Sequence, residues 1–161
     1  KDLQDDYVVY LNLTNAEEDG IGNYWRKSAF SSTVIGLGND IYGPNVSGTT
    51  MVAYCFTSIP GYSKIGSYVG TGATGNVQYV GFEPAFVMVK AISTAEPWFI
   101  LDNKRDPNNP RDNRLMPDST AAESSGSVHT MDFNSNNFTL NGTVGNGTNG
   151  NGQTYIFLAI K

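Results

Sequence analysis

The chain has 161 residues, of which 39% are apolar and 16% charged, and it carries a net charge of −5 with a pI near 4.6. That length sustains one domain, or two small like units sharing a sheet, while the acidic balance argues against a groove built on Lys and Arg contacts to phosphates. No run approaches the roughly 20 apolar residues that span a bilayer, and 18 glycines with many Asn, Ser and Thr residues favour a turn-rich all-β design.

Residues 1–6, KDLQDD, read as a polar lead-in, followed by a strand over Tyr7–Leu13 that is apolar on both faces. Asn15 with Glu17 and Glu18 opens at most one helical turn before Gly20 and Gly22, so Thr14–Lys27 is expected to be a loop. Ser28–Leu37 alternates weakly as one or two strands, Gly38–Gly48 is a loop of turn formers, and Thr49–Thr57 reads as a firm strand. The single cysteine, Cys55, sits in the apolar run of that strand and is expected to be a small buried hydrophobe. Ser58–Gly75 reads as a glycine-punctuated connector with a short exposed strand around Lys64–Val69.

Two apolar runs then dominate the chain. Phe86–Val89 and Trp98–Leu101 are too short for buried helices, are rich in β-branched and aromatic residues, and are bounded by Gly81, Pro84 and Pro97. The six residues AISTAE between Lys90 and Pro97 close them into a hairpin, with Pro84 ahead of its strand because proline cannot donate to a ladder. Asp106–Ser127 is a long polar passage, which implies a functional loop or a missed short strand at Arg114–Met116. Strands resume over His129–Phe133, Asn137–Leu140 and Thr154–Ile160, and the intervening GTVGNGTNGNG reads as a loop tip.

The strand endings repeat. Gly48–Phe56 overlays Gly152–Ile160 at an offset of 104 residues, and the same offset places Val34 on Phe138 and Gly38 on Gly142. Tyr7–Leu11 matches Trp98–Asp102 at an offset of 91, the second copy carrying the longer DPNNPRDNR loop. The expected organisation is the closing half of a first unit over 1–57, a Gly/Tyr-rich connector over 58–76, and a near-complete β-sandwich unit over 77–161. The chain also begins at Lys1 rather than Met, which fits a processed form or an excised piece.

Catalytic signatures are thin. His129 is the lone histidine and lies in a predicted strand, so a multi-histidine metal site is excluded and a Ser-His-Asp arrangement is disfavoured. A β-sandwich glycosidase needs two carboxylates about 5 to 9 Å apart on one face, whereas Glu17-Glu18-Asp19 is contiguous in a loop and Glu83, Glu96 and Glu123 fall at turns. Asp102 and Asp106 offer oxygens for calcium, but EF-hand spacing is absent and Lys104 and Arg105 neutralise the charge. No cofactor is expected. Sugar binding needs aromatic platforms beside amide groups, and Trp25, Tyr42, Tyr62 and Asn108 are the loop residues that fit this chemistry.

The segments Tyr79–Lys90, Trp98–Asp106 and Tyr155–Ile160 resemble a repeated β-domain of tailed-bacteriophage structural proteins, in which a G-F-x-P-x-F-V-x-x-K strand precedes a W-x-x-x-D-x-x-R segment. The resemblance covers most of residues 48–161. It implies an antiparallel β-sandwich of jelly-roll or lectin-like form, in a tail, fibre or head-surface appendage at the virion surface. It further implies homo-oligomeric packing against other virion copies and contact with a host-surface glycan. The motif residues carried over are structural: Gly81 and Pro84 set a turn, Phe82 and Trp98 fill a core, and Lys90, Asp102 and Arg105 form an ion network.

Overall fold

The computed structural model describes residues 7–20, 24–38, 43–143 and 145–161. Among them the chain forms strands β1 (Tyr7–Val8), β2 (Glu18–Asp19), β3 (Ser63–Val69), β4 (Asn76–Tyr79), β5 (Phe86–Ala91), β6 (Trp98–Asp102), β7 (Met131–Asn134), β8 (Asn137–Leu140) and β9 (Thr154–Ile160). Period-two alternation decides the inward faces. Val87 and Val89 on β5, Phe99 and Leu101 on β6, and Tyr155, Phe157 and Ala159 on β9 are buried on one sheet, ordered β3-β9-β5-β6. Met131 and Phe133 on β7 with Phe138 and Leu140 on β8 are buried on the other, ordered β4-β8-β7.

These faces meet as an antiparallel β-sandwich. Phe138 packs edge-on against Phe157 across the layers with centroids 5.1 Å apart, and Tyr68 stacks on Tyr155 at 4.9 Å. The predicted hairpin is present: β5 and β6 pair antiparallel with Lys90 opposite Trp98, and Pro84 stays ahead of β5. The long polar passage is stitched to both sheets, because Leu115 bridges Ile100 and Arg111 bridges Met131. Arg111 is itself buried, with its guanidinium 4.4 Å from the Phe133 ring centroid.

Several expectations are corrected. The short strand expected around Lys64–Val69 is present as β3, but it is no isolated piece of a connector: it forms a seven-residue ladder with β9 from Ser63↔Ile160 to Val69↔Thr154 and buries Tyr68. Tyr7–Leu13 shortens to the two residues of β1, which pair with Glu18–Asp19 where a helical turn was conceivable. Ser28–Leu37 contains a 3-10 turn at Lys27–Ala29 and one isolated bridge, Trp25↔Leu37, instead of strands. His129 lies in a 3-10 turn that precedes β7.

Thr49–Thr57 forms no strand. Val52, Tyr54 and Phe56 are 76%, 83% and 62% exposed, and Cys55 is exposed rather than buried. The sequence has strand propensity there, but among the described residues no neighbouring strand supplies the ladder that would realise it.

The glycine-rich run after β8 is also not an exposed tip, since Gly147, Thr148, Asn149 and Gly150 are buried. Two core tyrosines explain this, because a buried phenol needs a partner. Tyr68 donates to the Thr148 carbonyl at 2.6 Å, while Tyr155 donates to the Asn146 carbonyl and accepts from the Gly150 amide at 2.7 Å. Asn149 ties the loop to the β3–β4 connection by accepting from Thr71 N–H at 3.0 Å and donating to the Ala73 carbonyl at 2.8 Å. A Cβ at Gly147 would lie 2.6 Å from both the Phe99 and His129 rings, so the close approach requires glycine there.

The contrast between filled and unfilled positions is measurable. Phe138→Ala is expected to lower unfolding free energy by about 3–5 kcal/mol, whereas Phe56→Ala should change it by no more than about 0.5 kcal/mol. Urea unfolding of both variants reads the difference directly.

Candidate functional site

The N-terminal residues reach the sandwich through its outer face. On that face of the four-stranded sheet, Lys90 stands between Ile156 and Trp98 in register. Its side chain is buried, and its ammonium donates to the Thr14 carbonyl at 3.0 Å and the Glu96 carbonyl at 2.6 Å. Trp98 Nε1–H donates to the Tyr10 carbonyl at 2.8 Å, and Glu17 N–H donates to the Ile92 carbonyl at 2.9 Å. Three bonds thus fix the backbone between residues 10 and 17 over one end of the sheet.

Beside this attachment lies a cleft of about 390 Å³ lined by Tyr7, Val8, Val9, Tyr10, Trp25 and Pro44. Trp25 is half-buried there, held by its bridge to Leu37 and by the flanking bonds from Arg26 N–H to the Gly36 carbonyl and from Gly38 N–H to the Tyr24 carbonyl. The Tyr10 and Tyr24 hydroxyls approach to 3.4 Å. An aromatic wall with phenolic groups beside it suits the apolar face of a small ring.

Of the loop residues that fit sugar chemistry, Trp25 lines this cleft. Tyr62 sits in the turn before β3, 55% exposed, and Asn108 is exposed in the loop after β6, so neither joins Trp25. Tyr42 lies outside the described residues. Tyr7, Tyr10 and Pro44 were not readable as site residues, because only the fold brings them to Trp25.

The motif residues separate into different roles. Gly81 takes φ 84° at the turn after β4, where Val80 and Gly81 both donate to the Asn136 carbonyl, and Phe82 and Pro84 are buried. Trp98 is half-buried on the outer face rather than in the core. Asp102 and Arg105 do pair, at 2.6 Å, and Arg105 continues to Glu123 at 2.9 Å. Lys90 is not in that network, because its side chain bonds two main-chain carbonyls instead.

Electrostatics follow these placements. Burial pushes the Asp102 carboxyl up, but the Arg105 amide and guanidinium and the Lys104 amide outweigh it and hold the group below the usual carboxylate range. Burial lowers the Lys90 ammonium against the opposing pull of Asp118 and Glu96. Both candidate calcium ligands are engaged within the protein: Asp102 by Arg105 and Lys104, and Asp106 by the amides of Asp112 at 2.7 Å and Asn113 at 3.3 Å. Among the described residues no group of three or more His, Cys, Asp or Glu side chains is placed to hold a metal ion. No helix there is long and apolar enough to cross a membrane.

His129 packs on Phe99 at 4.5 Å between centroids, and burial with the nearby Arg114 charge lowers its pKa to about 4. The unfolded chain binds this proton near pH 6.5, so between about 6.5 and about 4 it holds more protons than the native state. Stability is expected to fall as pH drops through that window, by on the order of 1–2 kcal/mol after allowance for partial solvent exposure. Thermal melts of the parent chain and His129→Gln across this range check it, the variant showing the shallower slope.

Comparison with known proteins places the chain without assigning it an activity. No curated protein and no solved structure matches it. The family described as Domain of unknown function (DUF7483) matches residues 1–161, and the chain belongs to that family.

Proposed function

We propose that the chain is a non-enzymatic structural or adsorption module of a bacteriophage particle, in a tail, fibre or head-surface appendage, packed against further virion copies. The phage assignment rests on the resemblance of Gly81–Lys90 and Trp98–Arg105 to the repeated β-domain of phage structural proteins. The observation that carries the assembly role is the apolar surface left uncovered. Ile65, Leu158, Met88 and Ile100 stand side by side across the outer face of the four-stranded sheet, none of them fully buried, and Leu13, Val34, Ile35, Val52, Tyr54 and Phe56 are exposed elsewhere. A row of adjacent apolar side chains left partly exposed is the kind of surface that protein contact sites use. Repetition around a symmetric oligomer then turns weak contacts into avidity. On this reading the domain is jelly-roll or lectin-like and sits at the virion surface.

A second reading, a dedicated carbohydrate-binding domain, is favoured by the aromatic cleft at Trp25. Light scattering of the purified chain followed by a glycan array, with and without calcium, separates the two. The assembly reading expects a stable oligomer without a sugar hit, and Ile65→Asp should shift it toward monomer while thermal stability changes little. A monomer without glycan binding contradicts both readings. A sugar hit lost in Trp25→Ala replaces the first reading with the second.

A further inference from the structure

The connection between β8 and β9 holds all four Asn-Gly pairs of the chain: Asn141-Gly142, Asn146-Gly147, Asn149-Gly150 and Asn151-Gly152. In such a pair an amide side chain faces the next backbone nitrogen with no Cβ to shield it, so each pair is chemically able to close a cyclic imide. Closure needs the Asn side chain to swing against that nitrogen. Hydrogen bonds that hold either group oppose it, because they must open first.

Three of the four pairs are held in this way. Asn149 is buried with its amide fully engaged: Oδ1 accepts from Thr71 N–H at 3.0 Å and Asn76 Nδ2–H at 2.8 Å, while Nδ2–H donates to the Ala73 carbonyl at 2.8 Å and the Gly142 carbonyl at 3.0 Å. The following Gly150 N–H is committed to the Tyr155 hydroxyl at 2.7 Å. Asn141 donates to the Asp132 carboxylate at 2.8 Å and accepts from Gly75 N–H at 3.3 Å, beside a buried Gly142. Asn151 and Gly152 are the central residues of a turn closed by Gln153 N–H on the Gly150 carbonyl at 3.1 Å, and Gly152 N–H donates to the Gly70 carbonyl at 2.9 Å.

Asn146 is the exception. It is exposed, its side chain lies beside Gly150, and among the described residues neither that side chain nor Gly147 N–H makes a hydrogen bond. The peptide plane between the two is steadied from its other side, since the Asn146 carbonyl accepts from the Tyr155 hydroxyl and Gly147 packs against the Phe99 and His129 rings. The plane stays in place while the exposed side chain turns toward it. When the Gly147 nitrogen loses its proton, the negative charge spreads onto that same carbonyl oxygen, where the phenol already donates. Burial lifts the phenol to about 12, so it keeps its proton in mildly alkaline solution.

We propose that Asn146-Gly147 is a self-modifying site, selected by the fold from the four pairs. The Gly147 nitrogen gives its proton to hydroxide and attacks Asn146 Cγ, forming a new C–N bond while the side-chain nitrogen takes a proton from water and leaves as ammonia. Water then adds to one of the two imide carbonyls and opens the ring to aspartate or isoaspartate. The net reaction consumes water, releases ammonia and changes no oxidation state. Its product adds a negative charge to the loop that receives both core phenols, and the isoaspartyl form lengthens the main chain there by one carbon. This inference stands on the hydrogen bonds of the loop, independently of the virion reading.

The intact chain is incubated in mildly alkaline buffer and, in parallel, in the same buffer with denaturing guanidinium chloride. Both samples are followed by peptide mapping with mass spectrometry that separates aspartyl from isoaspartyl products. In the folded chain Asn146 is expected to convert at least about tenfold faster than Asn141, Asn149 and Asn151, because each of those waits on local opening. In the denatured chain the four rates should converge to within about threefold, since the structure that separates them is gone and a glycine follows each. Conversion of Asn146 no faster than that of the other three in the folded chain, or an early product at one of them instead, overturns the proposal. An equal lead for Asn146 in denaturant also overturns it, because the local sequence and not the fold would then set the order.

Discussion

The pairing of β9 on both of its edges is the constraint on which the rest of this structure depends. A strand flanked by β3 and β5 has every main-chain group committed, and its inward residues Tyr155, Phe157 and Ala159 then supply the middle of one sandwich layer. β3 and β5 are distant from β9 in sequence, so nothing local favours the arrangement. It forms because the buried faces of the two sheets complete one another, with Phe138 of the opposite layer set against Phe157. Gly66 belongs to the same constraint, since a Cβ there would meet the Phe157 ring at 2.7 Å.

Polar groups inside this core are handled by long-range satisfaction rather than exclusion. Tyr68 and Tyr155 keep their rings in the core and send their hydroxyls into the glycine-rich loop, which folds inward to receive them. Lys90 solves a similar problem on the outer face, where two carbonyls accept from its ammonium. Buried charge without partners is costly, so the backbone at Thr14 is a requirement of Lys90 as much as an attachment point for the N-terminal residues. This links the sheet to the aromatic cleft, because residues 7–10 that line it are held by the neighbouring bond from Trp98 to the Tyr10 carbonyl.

Legibility in the sequence tracked whether a segment finds pairing partners among the described residues. Asn137–Leu140 and Thr154–Ile160 are strands with the boundaries their alternation predicts, and the hairpin of Phe86–Val89 with Trp98–Leu101 is equally plain. Thr49–Thr57 carries the same pattern and forms nothing, because alternation reports a need for neighbours and not their presence. The buried loop over 147–150 was hidden for a different reason: glycine and asparagine are as compatible with close packing as with exposure, and the informative signal was two tyrosines elsewhere that needed acceptors. Of the site, Trp25 was visible as a loop aromatic. Its companions were not, since the cleft is assembled from residues 7–10, 25 and 44 by the docking of the N-terminal backbone.

The central claim is that one chain holds a packed sandwich beside a segment, 49–57, whose strand-like pattern finds no ladder among the described residues. Hydrogen exchange of the intact chain at low protein concentration, resolved to short peptides by mass spectrometry, tests it most directly, because main-chain amides report pairing without reference to any function. The account predicts strong protection across 86–91 and 154–160 and rapid exchange across 51–57. Protection of 51–57 equal to that of 154–160 under those conditions would contradict it, since the segment would then be paired in a ladder.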